Sequence, residues 1–171
     1  LTRDIHGAEE LIVMMTRRFR EVWTEVAPAP AAKANQHEVV ILASIVEKET
    51  GRGEERPVIA GVFHNRLKIG MRLQSDPTVI YGIEDFSGNI TRKHLQTPSR
   101  YNTYTLTGLP AGPISNPGRS ALEAVLRPAA TDYLYFVGRN DGTHQFSRTL
   151  EEHNQAVRKY QRKKLEKNGK G

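Results

Sequence analysis

Residues 39–46, VVILASIV, form the longest apolar run in the chain, and no folded state can leave such a run in water. It is far shorter than the roughly 20 residues that cross a bilayer, so it demands a core made by the chain itself. Asn35 followed by Glu38 has the pattern of a capping box, and GRG at 51–53 is a stop signal. The run therefore reads as a buried helix from 36 to about 50, with two acids, Glu47 and Glu49, at its end. At 171 residues the chain is about one domain, able to bury roughly 70% of its unfolded surface. Cysteine is absent, which excludes disulfides and cysteine-based zinc sites. The chain opens on Leu1 without a signal-peptide pattern, so it is expected to be a portion of a longer protein whose anchor lies upstream.

Helical spacing over 8–26 places Leu11, Met15, Phe19, Val22 and Val26 on one face, with Trp23 beside them. APAPAAKA at 27–34 breaks that helix and reads as a linker. Beyond the buried helix, Pro57 suits the first turn of another, with Val58, Ile59, Val62, Phe63 and Leu67 as its apolar side and Gly70 as its end. Residues 71–116 are rich in Gly, Pro, Asn, Ser and Thr; short helical turns are expected after Asp76-Pro77 and near 91–95, within ordered loops of the kind that carry function. Ser120 and Glu123 are expected to cap a short helix ending before Pro128. YLYFVGRNDGTHQFS reads as strand, Asn-Asp-Gly turn, strand, and Thr149 with Glu152 opens a last, basic helix. The fold class is α+β: a helical half bearing the acids, and a loop-rich half with a β-hairpin.

Charge and motif content remove several functions. The net charge is +6, but seven Lys/Arg against one acid lie from Arg158 onward, leaving 18 basic and 18 acidic side chains in the rest. A surface that neutralises phosphates is thus confined to the tail, and nucleic acid is not an expected partner. The six histidines, at 6, 37, 64, 94, 144 and 153, form no HExxH and no pair at metal spacing, so neither a metal nor a cofactor is expected. Phosphate-loop, dinucleotide and serine-elbow motifs are missing as well.

Two features retain chemical promise. At 100° per residue, Leu42, Ile45 and Val46 lie within about 60° of Glu49, whereas Glu47 lies about 160° away beside Val40, Ala43 and Ser44. A carboxyl among aliphatic side chains has its charged form disfavoured and its pKa raised toward that of a general acid. The same spacing equally permits Glu49 at a frayed helix end, or paired with Arg66 or Arg72. Tyr101, Asn102, Thr103 and Tyr104 form an aromatic-polar cluster that suits sugar faces and amides, or equally a turn with buried tyrosines.

Four stretches together, SIVEKETG, NRLKIGMRLQSDPTVIYG, TPSRYNTYTLTGLPAGPISNPG and YLYFVGRNDGTHQFS…HN, resemble the catalytic domain of the endolytic murein transglycosylases, the YceG-like family, over about residues 36–157. Three shorter pieces are similar to motifs of soluble lytic transglycosylases: Glu49-Thr50, the Gly-x-x-x-Gln of 70–74, and Tyr101-Asn102. Thr50 stands in place of a more usual serine, and Arg72-Leu73 in place of a Leu-Met pair.

The resemblance implies a lysozyme-like glycan cleft with Glu49 as the catalytic acid. Gln74, Ser75, Asp76, Tyr101, Asn102, Thr103 and Tyr104 would bind substrate, and Glu47 would be structural. It also implies a peptidoglycan glycan strand as substrate, cut to a 1,6-anhydro-muramyl end, and no cofactor. The location implied is the outer face of a bacterial cytoplasmic membrane beside peptidoglycan synthases, reached through an N-terminal anchor. Residues 1–34 would be a remnant of the upstream region, 35–157 the catalytic domain, and 158–171 a basic helix end. Two other functions fit the same residues: a hydrolytic muramidase using Glu49 with Asp76 or Glu47, and a glycan-binding module without turnover.

Overall fold

The computed structural model describes residues 7–27 and 35–168, and side chains as far as Gln161. Helix α1 spans Ala8–Val26, α2 Gln36–Glu49, α3 Arg56–Lys68, α4 Asp76–Tyr81, α5 Arg92–Gln96, α6 Arg119–Leu126 and α7 Leu150–Asn168; strands β1, Tyr135–Gly138, and β2, His144–Ser147, complete the order. The strands pair antiparallel, with Phe136 opposite Phe146 and Gly138 opposite His144. Asn140 and Gly142 take the left-handed conformation in the turn between them, as an Asn-Asp-Gly hairpin requires. The architecture is α+β, as expected. The linker expected at 27–34 lies, beyond Ala27, outside the described residues. Among those residues no helix is long and apolar enough to cross a membrane.

Helix α2 is the centre of the core. Ile41, Leu42, Ala43, Ser44, Ile45 and Val46 are all buried, against α3, α4 and α6. Ala43 and Ser44, on the Glu47 side of the helix, are fully buried as well, because α6 covers that side too. Ser44 Oγ donates to Ile41 O and accepts from Ile114 N at 2.9 Å, so the hydroxyl serves the last loop before α6 without an unpaired group. Asn35 sits at the N-cap of α2 but makes no side-chain cap bond, so the expected capping box is not formed. Packing of the apolar middle replaces it as the source of helix stability.

Elsewhere the boundaries follow the sequence and several caps do not. Only the C-terminal part of α1 is buried, through Val22, Trp23 and Val26, while Met15, expected on the apolar face, is exposed. Helix α6 starts one residue after Gly118 rather than at a Ser120 cap, and the Gly118 amide donates to the distant Glu47 carboxylate at 2.9 Å. Thr149 and Glu152 do form the expected reciprocal cap on α7. That helix runs without a break through the 157–158 boundary to Asn168, so the basic tail continues it.

Arg66, buried at the end of α3, joins the two halves. It donates to Leu73 O at 2.7 Å and to Leu134 O at 2.6 Å, and lies over the Tyr135 ring. Phe63 meets Phe136 edge to face beside it. Close approach of α3 to residues 129–131 depends on Gly61: a Cβ there would stand 2.7 Å from Ala129 O and 2.8 Å from Thr131 Cγ2. Backbone cannot rotate out of the way as a side chain can, so Gly61→Ala should destabilise the fold by about 1–3 kcal/mol. A urea denaturation midpoint within error of wild type would refute this account of the packing.

Candidate active site

Helix α2 ends at Glu49, and the chain between α3 and α4 returns directly over it. Residue Gln74 has φ 48°, a left-handed conformation uncommon outside glycine, and its amide donates to Thr103 O at 3.1 Å. This turn carries Ser75 onto the acid: Ser75 Oγ donates to Glu49 Oε1 at 2.5 Å. Burial raises the Glu49 carboxyl from an ordinary 4.5 to about 7, against the Ser75 bond, which lowers it; the Asp76 charge adds to the rise, and His144 and Arg66 oppose it. Neither Arg66 nor Arg72 is its ion-pair partner. Arg66 is committed to carbonyls, and Arg72 reaches Tyr104 O.

Glu49 opens on a cleft of about 480 Å³. Its lining includes Leu73, Gln74, Asp76 and Tyr104, and also residues outside the expected site, Tyr135 and His144 of the hairpin and His153 of α7. Tyr104 Oη donates to Asp76 Oδ1 at 2.6 Å, and burial, then this bond, pushes the phenol well above its usual range. Gln161 also lines the cleft, so the last helix contributes to it beyond the expected domain edge at 157. His144 and His153 fall in THQFS and HN, stretches whose resemblance to the family was the signal available for them.

Three of the expected substrate residues lie elsewhere. Asn102 is buried, its Nδ2 donating to His94, Leu95 and Thr97 carbonyls while its Oδ1 accepts from Tyr104 N. Thr103 is fully buried; its hydroxyl accepts from Ser75 N at 2.9 Å and bonds with Thr78 Oγ1 at 2.8 Å. Tyr101 packs edge-on against Tyr81, outside the cleft lining. These residues hold the loop in place, since buried polar groups in an irregular segment must pair within it. Ser75 is buried too, reaching the cleft through Glu49.

The second acid has a different setting. Glu47 Oε1 accepts from Arg56 Nη2 at 2.9 Å and its Oε2 from Gly118 N, so it pairs with charge and caps α6, away from the cleft. No group of acids and histidines suited to a metal ion occurs among the described residues.

A family model described as "YceG-like family" matches residues 2–159. The chain is 46% identical over 160 residues to an endolytic murein transglycosylase of Bacillus subtilis (strain 168), covering 93% of this chain and 44% of that protein. It is 34% identical over 163 residues to one from Streptococcus pneumoniae serotype 2 (strain D39), covering 92% and 29%. Among solved structures, the crystal structure of a YceG-like protein from Listeria monocytogenes superposes with TM-score 0.71 at 39% identity, over 90% of this chain and 50% of that one. The chain thus spans less than half the length of these two curated relatives.

The site makes two stability predictions. Asn102→Ala leaves several buried groups unpaired, so its melting temperature should fall by roughly 5–10 °C, where a purely substrate-binding residue would leave it nearly unchanged. Glu49 has a folded pKa above its unfolded value, so its contribution to stability is complete below about 4.5 and is lost as pH rises to about 7. Glu49→Gln should therefore gain on wild type across that window, by on the order of 3 kcal/mol at its upper end. Urea midpoints of both proteins between pH 4.5 and 8 test this, and a constant difference would contradict it.

Proposed function

Because this chain belongs to the YceG-like family, we propose that its cleft cuts peptidoglycan glycan strands internally by lytic transglycosylation, with Glu49 as both acid and base. The observation that carries this reading is one carboxyl, raised to about 7, held by a serine hydroxyl at the wall of an open cleft. A group with that pKa is available in both protonation states near neutral pH, as a residue that first gives and then takes a proton must be.

The chemistry closes without water. Glu49 protonates the glycosidic oxygen of the departing N-acetylglucosamine as the bond from C1 of N-acetylmuramic acid breaks. The muramyl N-acetyl group stabilises the positive centre, the substrate-assisted route by which a single protein carboxyl suffices. The ionised Glu49 then takes the proton of the muramyl 6-hydroxyl as that oxygen bonds to C1, giving a 1,6-anhydro end and restoring the acid. Ser75 Oγ donates to Glu49 throughout, an interaction that strengthens as the carboxyl ionises. Gln74, Asp76 and Tyr104 offer hydrogen bonds to the sugars from one wall. In the cell such cuts would end growing strands beside peptidoglycan synthases at the membrane surface, an anchor upstream of this chain holding it there.

A hydrolytic muramidase is the second reading, favoured by one observation: Asp76 lines the same cleft as Glu49 and could serve as a second carboxylate. Mass spectrometry of uncrosslinked glycan after digestion separates the two. Transglycosylation gives new ends lighter by one water than the reducing ends of hydrolysis. Glu49→Gln should lower cleavage by at least ~100-fold, whereas Glu47→Gln should keep most of it, because Glu47 faces Arg56 and Gly118. A dead Glu47→Gln with an active Glu49→Gln would reverse the assignment.

A further inference from the structure

The 3-10 turn Gly53–Glu55, immediately after α2, faces the first residue of β2. Glu55 Oε1 accepts from the His144 backbone amide at 2.9 Å, and Glu55 Oε2 lies 2.7 Å from His144 Nδ1. Both side chains are largely buried, at 13% and 15% exposure. Burial works against the charged form of Glu55, but the side-chain and backbone bonds from His144 outweigh it and hold the carboxyl below its ordinary value. An ionised carboxylate only accepts hydrogen bonds, so Nδ1 carries a proton. Phe136 meets the imidazole edge to face and Phe146 lies tilted against it, which fixes the ring.

The other ring nitrogen has a different environment. Nε2 makes no hydrogen bond within the described residues, and it is not among the enclosed unpaired atoms, which are Arg56 Nε and His153 Nδ1. His144 lines the cleft with Glu49. In its neutral form the imidazole, with its proton held on Nδ1 by Glu55, presents a lone pair at Nε2, so the cleft that His144 lines carries an oriented acceptor.

From this juxtaposition we infer that His144 Nε2 accepts a hydrogen bond from a sugar N–H or O–H in the cleft, and that Glu55 is a positioning residue that fixes the tautomer making it an acceptor. The inference rests on the glycan reading of the cleft. It adds a specificity element to it: a saccharide with a donor at that point is retained, and one lacking the donor leaves an oriented lone pair unpaired.

The substitution His144→Asn separates this role from a structural one. Asparagine Nδ2 can replace Nδ1 as donor to Glu55 and keep the hairpin anchored, but nothing replaces Nε2. The variant gives up the ring contacts with Phe136 and Phe146, so it should melt a few degrees lower yet stay folded at assay temperature, and it should lose about tenfold in kcat/KM on uncrosslinked glycan strands, the worth of one hydrogen bond. Long-range proton–nitrogen spectra supply a readout that anchoring alone would not move. Wild type should show Nδ1 protonated and Nε2 bare, Glu55→Gln a mixture of tautomers with partial loss of turnover, and Glu49→Gln a shift of the Nε2 signal on adding the strands. A proton on Nε2 in free wild type, an Nε2 signal unmoved while the Gln74 amide responds to glycan, or full activity in His144→Asn would each overturn the inference. If Nε2 responds to glycan but wild type cuts none, the transglycosylase reading fails and the contact stands; if no glycan binds, both fall.

Discussion

The middle of helix α2, Ile41 to Val46, is enclosed on every side, and that enclosure is what gives a single carboxyl its unusual state. The sequence supplies an apolar run; α3, α4 and α6 close around it. An acid placed one turn past the last buried valine then emerges at the margin of the core, where it is desolvated yet open to a cleft. Burial favours its neutral form and the Ser75 hydroxyl restrains the rise. Deeper in the helix an ionisable group could not reach the cleft, and farther out it would titrate as an ordinary carboxylate.

The hydroxyl that meets this acid is held by other hydroxyls. Thr78 Oγ1 donates to Ser75 O at 2.6 Å and bonds with Thr103 Oγ1, whose oxygen also accepts from Ser75 N. Asn102 ties the neighbouring turn to the end of α5 through three carbonyls. Long loops are rarely rigid on their own; in this one the buried polar atoms satisfy one another and tie it down. Its interior works as a polar core, and its residues support the cleft from behind.

The two glutamates of EKE show how position around one helix gives two acids different surroundings. Glu47 meets Arg56 and the Gly118 amide at the N-cap of α6, so its charge is compensated and it locks α2 to α6. Glu49, two residues on, has no such cation. His144, in the same cleft lining, is itself committed to Glu55, and Arg66 is consumed by the carbonyls of Leu73 and Leu134. Both side chains are thereby tied up elsewhere, which leaves burial as the dominant influence on the acid.

What the sequence determined by itself was local: which segments are helices or hairpin, where they stop, and that one of two acids shares a helical face with Leu42, Ile45 and Val46. Those features follow from periodicity, glycine and proline positions and turn chemistry, which act over a few residues. Motif resemblance also brought Glu49, Gln74, Ser75, Asp76 and Tyr104 to attention, and these do gather at the cleft or directly behind it. Tertiary structure decided the rest. It turned Asn102 and Thr103 inward, because an irregular segment folded over a core must pair its own polar groups. It brought Glu55 to His144 across 89 positions of chain and made α7 a wall of the cleft. No local pattern encodes such contacts, since they exist only once α3, the hairpin and α7 have packed and set the distance between residues far apart in sequence.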